Sequence, residues 1–230
     1  MGFMEQKMGK AKGLTARQKQ FLELVLKEPY ILKNFYLSGG TALSSWYLYH
    51  RESFDLDFFT QNRPFDPDRI ANWLRASQES IGYRTLHIDE DFVFLTATFR
   101  YPQDSFLKVD FTRYAEKRLK KGILWQGLKI DSLYDIAVNK IDTIASTPRA
   151  RDYVDLYCIL KKNLFTLRQL TRDAESKFSE QIDPLQLAKN FSKVSEYSDF
   201  PKMLVPFDHK EMEKFFLDLA KSLKKEIFTA

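Results

Sequence analysis

Two aspartates one residue apart, Asp55 and Asp57, stand in the alternating stretch "SFDLDFF". In a β-strand, residues i and i+2 project from the same face, roughly 6.6 Å apart along the backbone. Two carboxylates aimed at one place repel each other unless a cation or a proton lies between them. Mg²⁺ is the natural occupant, because it takes hard oxygen ligands and keeps substrate phosphates in its shell. The pair therefore predicts a metal-binding strand whose Phe54, Leu56 and Phe58 face the core.

A third acid, Asp110, follows in the stretch "FLKVDFT". Alternation puts Lys108, Asp110 and Thr112 on the face opposite the apolar residues of this strand. In a two-metal reaction, a carboxylate there is able to bind the same cations and to accept a proton from an attacking hydroxyl. Asp110 is therefore predicted to open onto the same cleft as the Asp-x-Asp pair.

A glycine turn precedes the aspartates in "LSGGTALSSWYLYH". Glycine permits positive φ and leaves room for a phosphate near the backbone, and the start of a helix offers free N–H groups. Gly39 and Gly40 are therefore expected to turn a short strand into a helix that begins around Thr41, with Thr41 as its cap and as a phosphate donor. Alone, each motif is more often an ordinary turn or an exposed strand face. The ordered combination is much more specific.

In this order the motifs resemble the nucleotidyltransferase superfamily that includes DNA polymerase beta. They are most similar to the AbiEii-type nucleotidyltransferases, the toxin half of type IV toxin–antitoxin systems. That family also carries a lysine on a downstream helical segment and an "RDxxDL" element. This chain has "DIAVNKIDTIASTPRARDYVDLYCIL", with Lys140 and "RDYVDL". The resemblance spans roughly Leu37 to Leu160.

The resemblance implies a set of roles. Mg²⁺ (or Mn²⁺) would be bound by Asp55, Asp57 and Asp110, and the triphosphate of an NTP by Ser38, Gly39, Gly40, Thr41, Arg51 and Lys140. Asp152 or Asp155 would position Lys140, an arginine, or the base or ribose of the nucleotide, and the choice between the two stays open. His50 and Arg51 would orient the aspartates or touch phosphate.

The family also suggests what receives the nucleotide. Several members modify tRNA, so the resemblance implies an RNA 3′ end as acceptor and a cognate antitoxin protein as partner. A basic run is ordinarily a solvated loop, but it also suits an RNA backbone; here it comprises Lys117, Arg118, Lys120 and Lys121. Two alternatives stay open: an acceptor hydroxyl on a small molecule or a protein, and an inactive member that binds a nucleotide or a partner.

Composition limits the class of protein that positions these residues. The 230 residues are 44% hydrophobic and 29% charged, with a net charge of +5 and twenty Phe, so we expect a globular core built from rings. The one cysteine, Cys158, excludes an intramolecular disulfide and a cysteine zinc cluster, and is expected in the core. No apolar run approaches the roughly 18 residues that span a bilayer, and no secretory signal is evident. We therefore expect a cytoplasmic protein without membrane contact.

The pattern of periodicities predicts an α+β fold. A flexible tail, residues 1–13, leads into an α/β domain of the nucleotidyltransferase type, residues 14–131, with a mixed sheet and flanking helices. Residues 132–230 are predicted to form an all-helical bundle. In the first domain a helix capped by Thr15 stops at Pro29, and another ends at Gly82. The last helix is expected to run from His209 to Phe228.

Overall fold

The computed structural model of the chain describes residues 11–61 and 65–224. Within them the chain divides into two compact units. The first comprises the N-terminal part through Tyr49, then Ser53–Lys117 and Lys121–Ser132. The second comprises the chain from Leu133 onward, together with the short pieces His50–Glu52 and Arg118–Lys120. The start of the predicted tail, residues 1–10, and the end of the last predicted helix, residues 225–228, lie outside the described residues.

The described part of the first unit contains one mixed sheet. Its strands are β1 (Tyr36–Ser38), β2 (Leu56–Thr60), β3 (Thr85–Asp91), β4 (Phe94–Arg100), β5 (Phe106–Arg113), β6 (Ile123–Trp125) and β7 (Leu128–Ile130). They lie in the order β3-β4-β5-β2-β1-β7-β6. The pairs β2–β5 and β1–β7 are parallel, and the remaining neighbours are antiparallel. The predicted fold class, a mixed sheet with flanking helices followed by a helical region, is confirmed.

Short helices flank this sheet. They are α1 (Ala16–Val25), α2 (Pro29–Asn34), α3 (Gly39–Ala42), α4 (Pro67–Ala76) and α5 (Gln78–Ile81). The Thr15 side chain accepts from the Gln18 N–H and so caps α1, as predicted. Pro29 does not merely stop that helix: it opens α2, since proline suits the first helical turn. Gly82 ends α5 at φ +64°.

Aromatic rings fill the core on one face of the sheet. Phe58 and Phe111, from the parallel strands β2 and β5, stack with centroids 5.0 Å apart. Phe21 of α1 lies 6.3 Å from Phe58 and 5.5 Å from Phe99, and all four rings are fully buried. Each such ring removes a large apolar area from water, so this layer holds β2 and β5 firmly beside each other.

The second unit is helical, as predicted. Its helices are α6 (Leu133–Ser146), α7 (Ala150–Leu160), α8 (Leu167–Phe178), α9 (Pro184–Ser192) and α10 (His209–Ser222). Tyr153 of α7 is fully buried and donates to the carbonyl oxygen of Asn190 at 2.6 Å. Asn190 in turn donates to the carbonyl oxygens of Ile144 and Ala145, at the end of α6. Polar groups inside this bundle therefore satisfy one another.

Candidate active site

A row of polar side chains crosses four neighbouring strands on the sheet face opposite the aromatic core. The strand register pairs Thr96 with Asp110, Asp110 with Asp57, and Asp57 with Ser38. Because neighbouring strands lie about 4.8 Å apart, Asp57 and Asp110 stand side by side. Both are half-buried, whereas Ser38 is buried. Two of the three predicted metal-binding acids therefore share one open position on the sheet.

Lys108 supplies a positive charge beside these acids. Its ammonium donates to Asp110 Oδ2 at 2.7 Å, and Thr96 Oγ1 donates to Asp110 Oδ1 at 2.6 Å. Burial by itself would lower the pKa of Lys108. The hydrogen bond to Asp110 and the charges of Asp110, Asp55 and Asp57 outweigh burial, so the pKa of Lys108 lies above its usual value. The three carboxylates thus act on one cation together. Alternation predicts Lys108 on this face, but the sequence alone does not indicate its contact with Asp110.

Asp55 enters the site differently from the prediction. Strand β2 begins at Leu56, so Asp55 precedes the first paired residue, and Phe54 lies outside the strand as well. Phe54 is 54% exposed, so its predicted place in the core is wrong. The alternation of the core face begins at Leu56 and continues to Phe58, both fully buried. Asp55 is half-buried, like Asp57.

Gly39 is required by its contact with Asp57. Its φ is +73°, a region that residues with a Cβ rarely adopt. A Cβ on Gly39 would lie 2.1 Å from Asp57 Oδ2, far inside contact distance. The carboxylate of Asp57 therefore lies directly against the glycine turn, and only glycine leaves room for it.

The helix after this turn starts earlier than predicted. Gly39 and Gly40 already form the first residues of α3, with Ser38 at the N-cap position, and the helix continues as a π-helix over Leu43–Leu48. Thr41 is therefore not the cap. Its fully buried hydroxyl donates to the carbonyl oxygen of Asp55 and lies 3.0 Å from Ser53 Oγ. Thr41 thus fixes the backbone that carries Asp55.

Ser38 is also held internally. Its hydroxyl donates to Asp131 Oδ2 at 2.8 Å, and both residues are buried. Asp131 lies directly after β7, the parallel neighbour of β1, and its own N–H donates to the carbonyl oxygen of Leu37. Sequence reasoning missed Asp131. Its partner lies 93 residues away, and the only available signal was a polar residue at the end of an apolar strand.

The donor set of this site suits a hard divalent cation. Mg²⁺ is commonly held by one or two carboxylates, with water and substrate phosphates completing its shell. Asp55 and Asp57 provide two such oxygen donors beside Asp110, and the effect of all three on Lys108 indicates a negative potential. Within residues 11–61 and 65–224, no group of three acidic, histidine or cysteine side chains is positioned so that it could hold a metal ion. Metal binding by Asp55, Asp57 and Asp110 therefore stays a prediction.

The remaining predicted residues belong to the helical unit, where Asp155 is the centre of an ion cluster. Asp155 is completely buried and accepts from Arg51 Nε at 2.6 Å and from a terminal guanidinium nitrogen of Arg51 at 2.8 Å. His50 Nε2 lies 2.9 Å from Asp155 Oδ1, and Lys140 Nζ lies 2.7 Å from Asp155 Oδ2. Bidentate pairing with arginine is the strongest form of such a contact.

Asp152 holds Lys140 from the other side. Lys140 Nζ donates to Asp152 Oδ1 at 2.7 Å. The second oxygen of Asp152 accepts from the backbone N–H and Nε of Arg149, so Asp152 also caps the start of α7. Lys140 is only 8% exposed. Both aspartates of "RDYVDL" thus bind Lys140, and Asp155 also binds Arg51.

The charges in this cluster stabilise one another. Burial alone would raise the pKa of Asp155, but Lys140 and Arg51 outweigh it and hold that pKa well below its usual range. Burial opposes ionisation of Asp152 too, and Lys140 with Arg149 lowers its pKa. By contrast, burial raises the pKa of the nearby Cys158 thiol to about 12, so this cysteine is kept protonated.

Backbone pairing fixes the segment that carries Arg51. Arg51 forms a β-bridge with Met203, the His50 carbonyl oxygen accepts from the Leu204 N–H, and the Glu52 N–H donates to the Lys202 carbonyl oxygen. The predicted contacts of Lys140 and Arg51 with nucleotide phosphates stay predictions. The structure shows instead how firmly each cation is held by buried carboxylates.

The basic run is exposed at Lys117, Lys120 and Lys121. Within the helical unit, the backbone N–H groups of Leu119 and Lys120 donate to the buried carboxylate of Asp135. Its contact with RNA stays a prediction. A cavity of about 1010 Å³ also lies within the helical unit, lined by residues that include Arg168, Arg172 and Leu219. None of the predicted site residues lines it.

Comparison with solved structures identifies the fold. JHP933 from Helicobacter pylori superposes with a TM-score of 0.58 at 19% identity, over 94% of this chain and 95% of that one. MenT4, a nucleotidyltransferase toxin from Mycobacterium tuberculosis, superposes with a TM-score of 0.56 at 14% identity, over 89% and 82% of the two chains. The chain, with the sheet that carries the polar row, therefore has the nucleotidyltransferase-like fold.

Comparison with family models identifies the family. The model described as "Nucleotidyl transferase AbiEii toxin, Type IV TA system" matches residues 21–224. The chain belongs to this family and is a nucleotidyltransferase, which confirms the resemblance seen in its motifs. Membership implies an NTP as substrate and a cognate antitoxin. An uncharacterised protein from Aquifex aeolicus, aq_aa25, is 30% identical over 175 residues, covering 72% of this chain and 76% of the relative.

No helix in the part of the chain that the structure describes has the length and hydrophobicity needed to cross a bilayer.

Proposed function

We propose that this nucleotidyltransferase toxin moves a nucleoside monophosphate from an NTP to the 3′-terminal hydroxyl of an RNA, with tRNA as the leading acceptor. The observation that carries the proposal is the in-register pairing of Asp57 and Asp110 on an open sheet face, with Asp57 against the glycine turn. The tRNA acceptor itself rests on the family resemblance.

The reaction needs a base and a place for the triphosphate. In the proposed step, the acceptor hydroxyl oxygen attacks the α-phosphorus, its proton passes to Asp110, and the bond to pyrophosphate breaks. In the structure the Lys108 ammonium donates to Asp110 Oδ2, so it must move away from that oxygen before the oxygen accepts the proton. The backbone N–H groups at Gly39 and Gly40, the first residues of α3, are proposed to face the triphosphate.

Asp55 and Asp57 would hold Mg²⁺, with Asp110 as a further ligand. When bound, the ion would neutralise charge on the phosphates and favour loss of pyrophosphate. Thr41 would act as a positioning residue, because its hydroxyl fixes the backbone at Asp55. These residues therefore combine charge neutralisation with orientation, which is most of what phosphoryl-type transfer requires.

The test is incubation of the full-length protein with each α-labelled NTP, Mg²⁺, and either purified tRNA or total RNA. Label on RNA that is lost with EDTA supports the proposal, and periodate treatment of the RNA 3′ end should abolish it. Label on a small molecule or on protein would instead support the alternative acceptors. Nucleotide binding without any transfer would favour an inactive member. The Asp57→Asn variant, assayed in parallel, excludes a contaminating transferase.

A further inference from the structure

The open face of the sheet continues beyond the polar row, toward Thr85 at the start of β3 and Phe106 at the start of β5. Two further cross-strand sets lie on it, each defined by the register of β3, β4 and β5. They comprise His87, Thr98 and Lys108, then Thr85, Arg100 and Phe106. All six residues are exposed or half-buried, whereas the residues between them on β4 and β5, such as Phe99 and Leu107, are buried. This surface is hereafter the β3–β5 platform.

The platform differs in charge from the part of the same strands that lies on the other side of the polar row. The platform carries Lys108 and Arg100 and no carboxylate among its six residues. Asp89 of β3 lies in the register of the polar row itself, paired with Thr96, and Asp91 lies one set further on, in the direction away from the platform. A polyanion whose end lies at Asp110 is therefore favoured along the platform and repelled in the other direction.

Phe106 gives the platform an aromatic surface. It is 61% exposed, although it lies on β5 next to the sheet's buried core. Phe106, Lys108 and Asp110 alternate on one face of that strand, so Phe106 lies about 13 Å from Asp110 along the chain direction. An exposed aromatic ring among cations and hydroxyls is the typical combination for single-stranded nucleic acid, where bases stack and phosphates meet basic groups.

We infer that the β3–β5 platform binds the single-stranded 3′ end of the RNA acceptor. The terminal hydroxyl lies at Asp110, the backbone passes Lys108 toward Arg100, and an upstream base stacks on Phe106. The inference rests on the proposed function, since it takes Asp110 as the group that receives the hydroxyl's proton. It adds an acceptor of defined chemistry: a protruding, unpaired 3′ end rather than a blunt duplex.

The test measures binding separately from transfer. The probe is an RNA hairpin with a short single-stranded 3′ tail that carries 2-aminopurine, compared with the same hairpin without the tail. Phe106→Ala should weaken tail-dependent binding about 10- to 100-fold, the effect of losing one stacked base. Phe106→Tyr should restore it, and wild-type binding should quench 2-aminopurine. Arg100→Ala should lower the slope of log affinity against log salt by about one.

Phe92→Ala is the matched control. Phe92 is 90% exposed in the turn between β3 and β4, outside the platform, so its loss should leave tail binding unchanged. NTP affinity should also be the same in Phe106→Ala as in the wild type. Equal effects of Phe92→Ala and Phe106→Ala would contradict a specific stacking site.

The outcomes separate this inference from the proposed function. Transfer to RNA that is undiminished in Phe106→Ala and Arg100→Ala would overturn the platform and leave the proposed function standing. Tail binding that depends on Phe106, without any transfer, would support the platform and overturn the proposed function. Equal binding of tailed and blunt hairpins by the wild type overturns the platform whatever the transfer assay shows.

Discussion

Two regions of this molecule collect acidic residues around a lysine, and they differ in exposure. On the sheet, Asp57 and Asp110 are half-buried beside Lys108. In the helical unit, Asp152 and Asp155 are completely buried around Lys140. The polar row is open to solvent and carries more acids than cations. The ion cluster is closed, and each of its carboxylate oxygens already has a donor.

This difference indicates different roles. Both oxygens of Asp110 also accept hydrogen bonds, from Thr96 and Lys108, but the carboxylates of the row are half-buried, so a metal ion or a reacting hydroxyl is able to reach them. The carboxylates of the ion cluster are completely buried, and removing one leaves its partners charged and unsolvated. The polar row should therefore control activity with little effect on stability, and the ion cluster should control stability first.

The sharpest test of the row is Asp57→Asn. We expect a loss of about 10³-fold in kcat/KM for nucleotide transfer, because in the proposed mechanism the substitution removes a charge beside the reacting phosphate. The free energy of unfolding should change by less than about 0.5 kcal/mol, since Asp57 is half-exposed. Steady-state transfer and urea titrations measure the two quantities. Asp89→Asn, an exposed acid in the same register, is the control and should keep its activity.

The matching test of the cluster is Asp155→Ala. Loss of this carboxylate removes the bidentate partner of buried Arg51 and one of the two carboxylates that bind Lys140, so we expect about 3–5 kcal/mol of destabilisation. Asp218→Ala removes an exposed partner of Lys221 and should cost less than about 0.5 kcal/mol. Thermal and urea unfolding of the two variants give the comparison. Similar stabilities would mean that burial does not distinguish the two regions.

Much of the row was predictable from sequence, because strand alternation is a local rule. It placed Lys108 and Asp110 on one face of β5, and the Gly-Gly pair indicated where a strand changes into a helix, although Gly39 and Gly40 are the first residues of that helix. The first residue of β2 was harder to predict. The alternation of apolar residues also includes Phe54, and only strand pairing shows that β2 begins at Leu56. The alignment of Asp57 with Asp110 was beyond local rules, since a parallel register depends on packing across the sheet.

The ion cluster was much less predictable. Arg51 and Asp155 lie 104 residues apart, and no spacing rule connects them. Lys140 on an amphipathic helix looks like an ordinary solvated lysine, and only the family resemblance singled it out. Its burial between two aspartates follows from how α6 packs on α7, which is tertiary information. Local patterns therefore predict open strand faces better than buried charge networks.

The glycine turn offers a test in which two matched glycines should differ. Gly39 and Gly82 both have positive φ, so either Gly→Ala change should cost about 1–2 kcal/mol of stability. Only at Gly39 would the new methyl group collide with Asp57, whereas nothing lies within 4 Å at Gly82. We expect Gly39→Ala to lose about 10²-fold in transfer rate and Gly82→Ala to keep it. Equal transfer rates in the two variants would mean that the contact between Gly39 and Asp57 does not affect the reaction.

The smallest effect concerns acid stability, and it belongs to the ion cluster. The pKa values of Asp152 and Asp155 are lower in the folded protein than the ordinary value of 3.8, so the unfolded chain binds protons first as pH falls. Their contribution to stability is therefore complete above about pH 5 and is lost as the pH falls through 3.8 toward the folded pKa values. Each group contributes a slope of up to about 1.4 kcal/mol per pH unit.

Asp152→Asn should remove one such slope in urea titrations between pH 5 and pH 3, roughly the window that this pKa shift defines. An unchanged slope would mean that Lys140 and Arg149 do not stabilise the charged form of Asp152. This part of the ion cluster would then contribute as little to the free energy of unfolding as the open row is expected to.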